Sequence, residues 1–209
     1  MLRIKNPSLH QLDEFLNSQL PIMQEVNQRY MPNQLNKWVI DSVNSQMEIK
    51  LFCGFISEEM AELVTTIKEG GSNESMLDEC SDVLGFTLVL IGKLGIQLDI
   101  DINVVPRHFN YKHKAQLYSL HSNATTDLMM TCNLLKNRPW KKQQYLVDRK
   151  EFKSQLEKAI SSILLLILTC SGSIANLKTG FYSKLQTNYK RLDSEKSNTL
   201  TIVYTLTDN

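Results

Sequence analysis

Two acidic clusters carry the chemistry this sequence offers. Glu58-Glu59-Met60-Ala61-Glu62 is followed, after a spacer of sixteen residues, by Glu79-Cys80-Ser81-Asp82. At about 100° per residue, Glu59 and Glu62 leave a helix within one narrow sector, on a stripe that Val43, Met47, Leu51 and Phe55 continue. Glu79 and Asp82 share the line of Phe86, Val89 and Leu90. Four carboxylates converging from two packed helices repel one another in a low-dielectric interior, and such groups persist there only when protonated or neutralised by cations. Oxygen donors select hard ions, so Glu59, Glu62, Glu79 and Asp82 are expected to hold Mg²⁺, with Mn²⁺ as a substitute. A solvated acidic face is the competing reading of an E-x-x-E pair. The run Val-Leu-Gly-Phe-Thr-Leu-Val-Leu-Ile-Gly-Lys-Leu at 83–94 opposes it, because a helix apolar nearly all round is buried and Glu79 and Asp82 stand at its start.

The elements that must position these groups are helices. Eight glycines and five prolines punctuate 209 residues, and apolar side chains recur at spacings of three and four. Helices are expected over 8–29, 36–69, 74–94, 123–137, 148–172 and 176–192, with 97–122 as a polar connector around Pro106. Pro32 and Asn33 separate the first two. Gly70-Gly71-Ser72-Asn73 turns the chain between the acidic helices, with Asn73 or Ser75 as N-cap and Gly95 as the following C-cap. The tail at 199–206 has strand-like composition and would need a partner strand, for instance from another subunit.

Composition narrows the class. A hydrophobic content of 42% supports a full core, and 23 basic against 22 acidic residues give no electrostatic argument for nucleic acid or an anionic membrane. The first seven residues lack the apolar segment of a signal peptide, and the hydrophobic run at 160–174 is interrupted by Ser161, Ser162, Thr169, Ser171, Gly172 and Ser173, which marks a core helix. Cys53, Cys80, Cys132 and Cys170 are widely separated and read as reduced, buried small hydrophobes in a cytoplasmic protein. His108 and His113 read as ordinary connector residues, and Asp99 and Asp101 as its solvated carboxylates.

An internal duplication is expected. The segment 59–68 aligns with 127–136, and 77–90 with 156–169, which places Met130 opposite Glu62, Lys158 opposite Glu79 and Ser161 opposite Asp82. The second copy would then have lost its ligands and would complete a four-helix core. The chain reads as a single all-α domain over 1–209: a metal-binding repeat at 34–96, a degenerate repeat with a C-terminal helix at 123–192, and a tail at 193–209.

With E-E-x-x-E, a spacer and E-x-x-D opening an apolar helix, the sequence resembles the all-α nucleoside triphosphate pyrophosphohydrolases, the MazG-like group that includes the dimeric dUTPases and dCTPases. Near the end, Lys184, Asn188 and Arg191 form a K-x-x-x-N-x-x-R similar to that of the dimeric dUTPase branch, and they fall on one helical face at i, i+4 and i+7. The resemblance implies that these side chains serve the triphosphate and nearby nucleotide groups. Gln34-Leu35-Asn36 resembles the base-approaching residues of that branch, with Asn36 the substrate-binding candidate. The branch's tryptophan- and lysine-rich stretch is absent after the first motif, and Pro139-Trp140-Lys141-Lys142 lies in the second half instead, so the base is left unassigned.

The expected activity is Mg²⁺-dependent hydrolysis of a nucleoside triphosphate, deoxy by resemblance, to the monophosphate and pyrophosphate. Glu58 either supports a ligand or acts as general base, and one of the five carboxylates activates the water. Glu59, Lys184 and Arg191 complete the catalytic set. The resemblance implies a homodimer or homotetramer. A helical nucleotide- or protein-binding regulatory protein is the alternative. A di-iron bundle is disfavoured because no histidine follows a glutamate by three residues.

Overall fold

The computed structural model describes residues 1–102 and 114–206, with side chains described for 1–102 and 115–194. Pro106, His108 and His113 therefore lie outside the described residues. Six α-helices are present among the described residues: α1 His10–Tyr30, α2 Val43–Glu69, α3 Asn73–Leu94, α4 Lys114–Leu134, α5 Arg149–Ser171 and α6 Ile174–Leu206. The all-α expectation holds among the described residues.

Two short strands were not anticipated. β1 (Leu2–Ile4) pairs in parallel with β2 (Leu98–Ile100), Leu2 opposite Leu98. Helix side chains satisfy both edges: Asn17 Oδ1 accepts from Leu2 N at 3.0 Å, Asp13 Oδ1 from Ile4 N at 2.7 Å, and Glu157 Oε1 from Asp99 N at 2.7 Å. The exposed N–H groups that would template further pairing are thereby used up. Residues 199–206 continue α6 as helix, so the strand expected there is not formed.

The turns follow local chemistry. Ser72, and not the expected Asn73 or Ser75, caps α3 by accepting from Ser75 N at 3.1 Å, and Gly95 ends α3 with φ 61°, a left-handed conformation that side chains resist. Helix α2 packs on α3 and α4 on α5, while α2 also meets α4 and α3 meets α5. Helices α1 and α6 cover the α3 face. By length and composition α5 is apolar enough to cross a membrane, but Phe152, Leu156, Ile160, Ile163, Leu164 and Ile167 are buried in this core, as expected of a core helix.

The contact between α6 and α3 sets the site. A Cβ on Gly180 would lie 3.0 Å from Leu77 Cβ and 3.3 Å from Ser81 Oγ, so the missing side chain lets the two backbones approach closely. One turn further along α6 comes Lys184.

Candidate active site

On α2 the buried stripe is Ile49, Phe52, Cys53, Ile56, Met60, Leu63 and Ile67. Met47 and Leu51, expected beside the acidic pair, are 48% and 46% exposed. The acidic sector of α2 is therefore its flank, not its core face: Glu59 is half-buried against α3, whereas Glu58 and Glu62 are exposed. On α3 the expected line holds, with Asp82, Phe86 and Val89 facing one cavity and Leu90 fully buried.

The structure brings Glu59, Glu79 and Asp82 together, with one carboxylate oxygen of each within 4.8 Å of the others. Glu62 stands outside this trio but near enough for its charge to act on both Glu59 and Glu79. Burial, with the charges of Asp82, Glu62 and Glu79 added, pushes the Glu59 carboxyl up to about 7. Burial and the charges of Glu62 and Asp82 raise Glu79, and burial raises Asp82 against the opposing pull of Lys184. An oxygen-only set that resists ionising together suits a hard divalent cation, so the residues fit the expected metal.

Lys184 reaches this cluster from α6. Its ammonium is 2.5 Å from Asp82 and 2.7 Å from Asp78, a carboxylate one turn earlier on α3. Desolvation opposes its charge, but the bonds to Asp78 and Asp82 prevail and hold Lys184 above the ordinary lysine value. Beside it opens a cavity of about 460 Å³ lined by Glu59 and Asp82 on one side and by Lys184, Asn188 and Arg191 on another. Arg191 is exposed at its rim, and its charge is felt at Asp82. Thus α6 presents the K-x-x-x-N-x-x-R face to the carboxylates.

The rest of the wall is apolar, from Met23, Val26 and Met31 around α1, Phe86 and Val89 on α3, and Phe181 and Leu185 on α6. Asn27 and Tyr30 add polar atoms, and Tyr30 Oη donates to the Asn188 carbonyl at 3.0 Å. Sequence reasoning missed the contribution of α1. The available signal was Met23, Val26, Asn27 and Tyr30 at i, i+3, i+4 and i+7 on one helical stripe.

Of the expected site residues, Glu58, Glu62, Glu79, Gln34 and Asn36 do not line this cavity. Asn36 is exposed and borders a separate hollow with Gln24, Glu25, Gln28 and Lys93, so it does not join the carboxylates and α6. Gln34 accepts from the ammonium of buried Lys93 at 2.8 Å and from Asn27 Nδ2 at 3.4 Å, which makes it a brace behind the wall. Lys93 lies 5.3 Å from the Trp38 ring centroid and 5.2 Å from that of Phe52.

In the second half, Asp127 is buried and its carboxylate meets Lys158 Nζ at 2.8 Å and accepts from Ser162 Oγ at 2.7 Å. Asp127 and Lys158 are the positions aligned with Glu59 and Glu79. Met130, aligned with Glu62, is 50% exposed.

Residues 31–108 match the family model described as phosphoribosyl-ATP pyrophosphohydrolase. The match spans Glu59, Glu62, Glu79 and Asp82 and ends before α4. Comparison with curated proteins and with solved structures gives no match.

Proposed function

We propose, proceeding from a region at 31–108 that carries a phosphoribosyl-ATP pyrophosphohydrolase domain of the MazG-like nucleoside triphosphate pyrophosphohydrolase superfamily, that the protein splits a nucleoside triphosphate, deoxy by preference, into monophosphate and pyrophosphate. The observation that carries this reading is the shared cavity, in which Glu59 and Asp82 face Lys184, Asn188 and Arg191 across an otherwise apolar space. Its volume lies within the range of small-molecule sites.

Glu59, Glu79 and Asp82 would hold Mg²⁺, with Glu62 beside them. When bound, such an ion neutralises phosphate oxygens and lowers the pKa of a water. Of the five carboxylates, one of which was expected to activate the water, Glu59 lines the cavity while Glu58 faces solvent, and we assign the role to Glu59. Lys184 exchanges its bond to Asp82 for a phosphate oxygen, and Arg191 offers a planar fork to another. Asn188 hydrogen-bonds sugar or phosphate. The base lies against Met23, Val26, Phe86 and Phe181, where its ring buries apolar surface, and Asn27 supplies hydrogen bonds at its edge.

The family match favours a second substrate, phosphoribosyl-ATP, whose triphosphate would meet the same residues while its adenine lies against the apolar wall. Pyrophosphate release is measured for ordinary and modified nucleoside triphosphates and for phosphoribosyl-ATP, with Mg²⁺, Mn²⁺ or chelator. At least one substrate should yield monophosphate and pyrophosphate only with metal. Tight nucleotide binding with no turnover under any metal would instead identify a regulatory binding protein. The assembly is proposed as a homodimer or homotetramer, which light scattering measures directly, and the α4–α5 pair as the degenerate copy of α2–α3.

A further inference from the structure

The amide that α1 adds to the apolar wall has its direction set from behind. Lys93, on α3, is buried against the rings of Trp38 and Phe52, and Glu48 Oε2 stands 3.9 Å from its ammonium. Burial pulls its pKa below the ordinary lysine value, and the charge of Glu48 opposes that pull. An ammonium only donates, so the Gln34 amide must turn its oxygen toward it, and the two meet at 2.8 Å. The nitrogen of the same amide is directed at Met31 Sδ, 2.9 Å away.

That first orientation imposes a second. Asn27 Nδ2 lies 3.4 Å from Gln34 Oε1 and donates to it. Turning the Asn27 amide over would set two carbonyl oxygens against each other at that distance with no proton between them. Asn27 therefore keeps its nitrogen toward Gln34, and its Oδ1 accepts no hydrogen bond among the described residues. Asn27 lines the cavity on the same stripe of α1 as Met23, Val26 and Tyr30. The hydroxyls lining that cavity add no donor: Tyr30 Oη donates to the Asn188 carbonyl at 3.0 Å, and Ser81 Oγ to the Leu77 carbonyl at 2.6 Å. A ligand on the apolar wall thus meets an acceptor at Asn27.

We propose, resting on the reading of this cavity as a triphosphate site with the base on its apolar wall, that Lys93 and Gln34 are positioning residues that hold the Asn27 oxygen toward the base. The site thereby selects amino bases, of the cytosine and adenine kind, over their keto counterparts uracil and hypoxanthine. The substituent at C4 of a pyrimidine or C6 of a purine points away from the sugar. An amino group there donates to Asn27 Oδ1, whereas a keto oxygen faces another oxygen and leaves both without a proton. The members of each pair differ little in shape, so apolar packing cannot separate them and the amide decides.

The test measures pyrophosphate release by the full chain with Mg²⁺ for the pairs dCTP and dUTP, and dATP and dITP. In every pair that is turned over, the amino member should have the higher kcat/KM by at least about 10-fold. Asn27→Leu should bring that ratio near one. Lys93→Met frees the Gln34 amide, and with it that of Asn27, so the ratio should fall toward one while the amino substrate is still split. Gln34→Glu should keep the ratio, because a carboxylate also offers oxygen to both Lys93 and Asn27, whereas Gln34→Leu should lose it. If Lys93→Met fails to fold, the two Gln34 variants decide the matter. Equal rates within each pair, a preference for the keto member, or a ratio that survives Lys93→Met and Gln34→Leu would each overturn the assignment. If no triphosphate is split, the proposed activity fails by itself, and the same ratio is read from the dissociation constants of the four nucleotides by calorimetry. Equal constants, or no binding, would then overturn the base preference as well.

Discussion

The ammonium of Lys184 on α6 lies 2.5 Å from the carboxylate of Asp82 on α3. One residue thus belongs both to the stripe proposed to face phosphate and to the charge balance of the carboxylate cluster. Lys184→Ala is expected to lower turnover by about 10²-fold, roughly 2.7 kcal/mol of transition-state stabilisation. The same variant should bind Mg²⁺ more tightly in the absence of nucleotide, because an internal cation competing for Asp82 is gone. Calorimetric titration without nucleotide, set beside steady-state rates, separates the two effects.

Arg191 stands at the rim, exposed, and its charge reaches Asp82 only from a distance. Arg191→Ala should cost about as much turnover as the lysine variant, and Arg191→Lys should restore only part of it, since an ammonium cannot reproduce a planar fork. Wild-type rates in Arg191→Ala and Lys184→Ala together would make α6 a mere wall.

Among the acidic residues the trio should dominate. Glu59→Gln, Glu79→Gln and Asp82→Asn are each expected to remove at least about 10²-fold of rate while the protein stays folded, and Glu62→Gln less, because Glu62 stands outside the group that gathers within 4.8 Å. Equal losses in all four, read from initial rates at saturating Mg²⁺, would place Glu62 among the ligands.

Metal-free stability should fall as pH rises. Below the ordinary glutamate value of 4.5, Glu59 is protonated in both folded and unfolded chains and contributes no difference. Between 4.5 and about 7 the folded protein keeps a proton that the unfolded chain has released, so raising the pH favours unfolding across that window. Glu79 and Asp82 are raised as well and act with the same sign. Thermal melts in chelator should show the decline, Glu59→Gln should flatten it, and Mg²⁺ should reverse it at pH 7 and above.

Lys158 neutralises Asp127 in the second half, and its removal should be felt in stability and not in catalysis. Lys158→Ala is expected to cost about 1 kcal/mol by urea denaturation, held to that size because the lysine side chain is 66% exposed. Adding Asp127→Asn should recover most of the loss, and Mg²⁺ affinity at Glu59, Glu79 and Asp82 should stay unchanged in both. A large fall in that affinity would connect the two halves electrostatically.

Helical periodicity and residue type by themselves determined that six helices form, though not their bounds, since α2 starts at Val43 and not at 36 and α4 at Lys114, inside the segment expected to be a connector. They also determined the pairing of E-x-x-E with E-x-x-D and the common face of Lys184, Asn188 and Arg191, because these are relations between neighbours three to seven residues apart along one chain. Side-chain geometry on a single helix makes such spacings legible. Tertiary packing alone decided which carboxylates meet: Glu59 turns toward α3 and Glu62 toward solvent, although both lie in one sector of α2, since the apolar stripe through Phe52, Ile56, Met60 and Leu63 sets the rotation of that helix in the core. The same packing brought Met23, Val26, Asn27 and Tyr30 of α1 into the cavity and left Asn36 outside it. It also placed Asp78 beside Lys184, across 106 positions of sequence. Contacts of that range depend on how closely helices approach, and Gly180, whose absent Cβ admits α6 against Leu77 and Ser81, has a function that no spacing rule reveals.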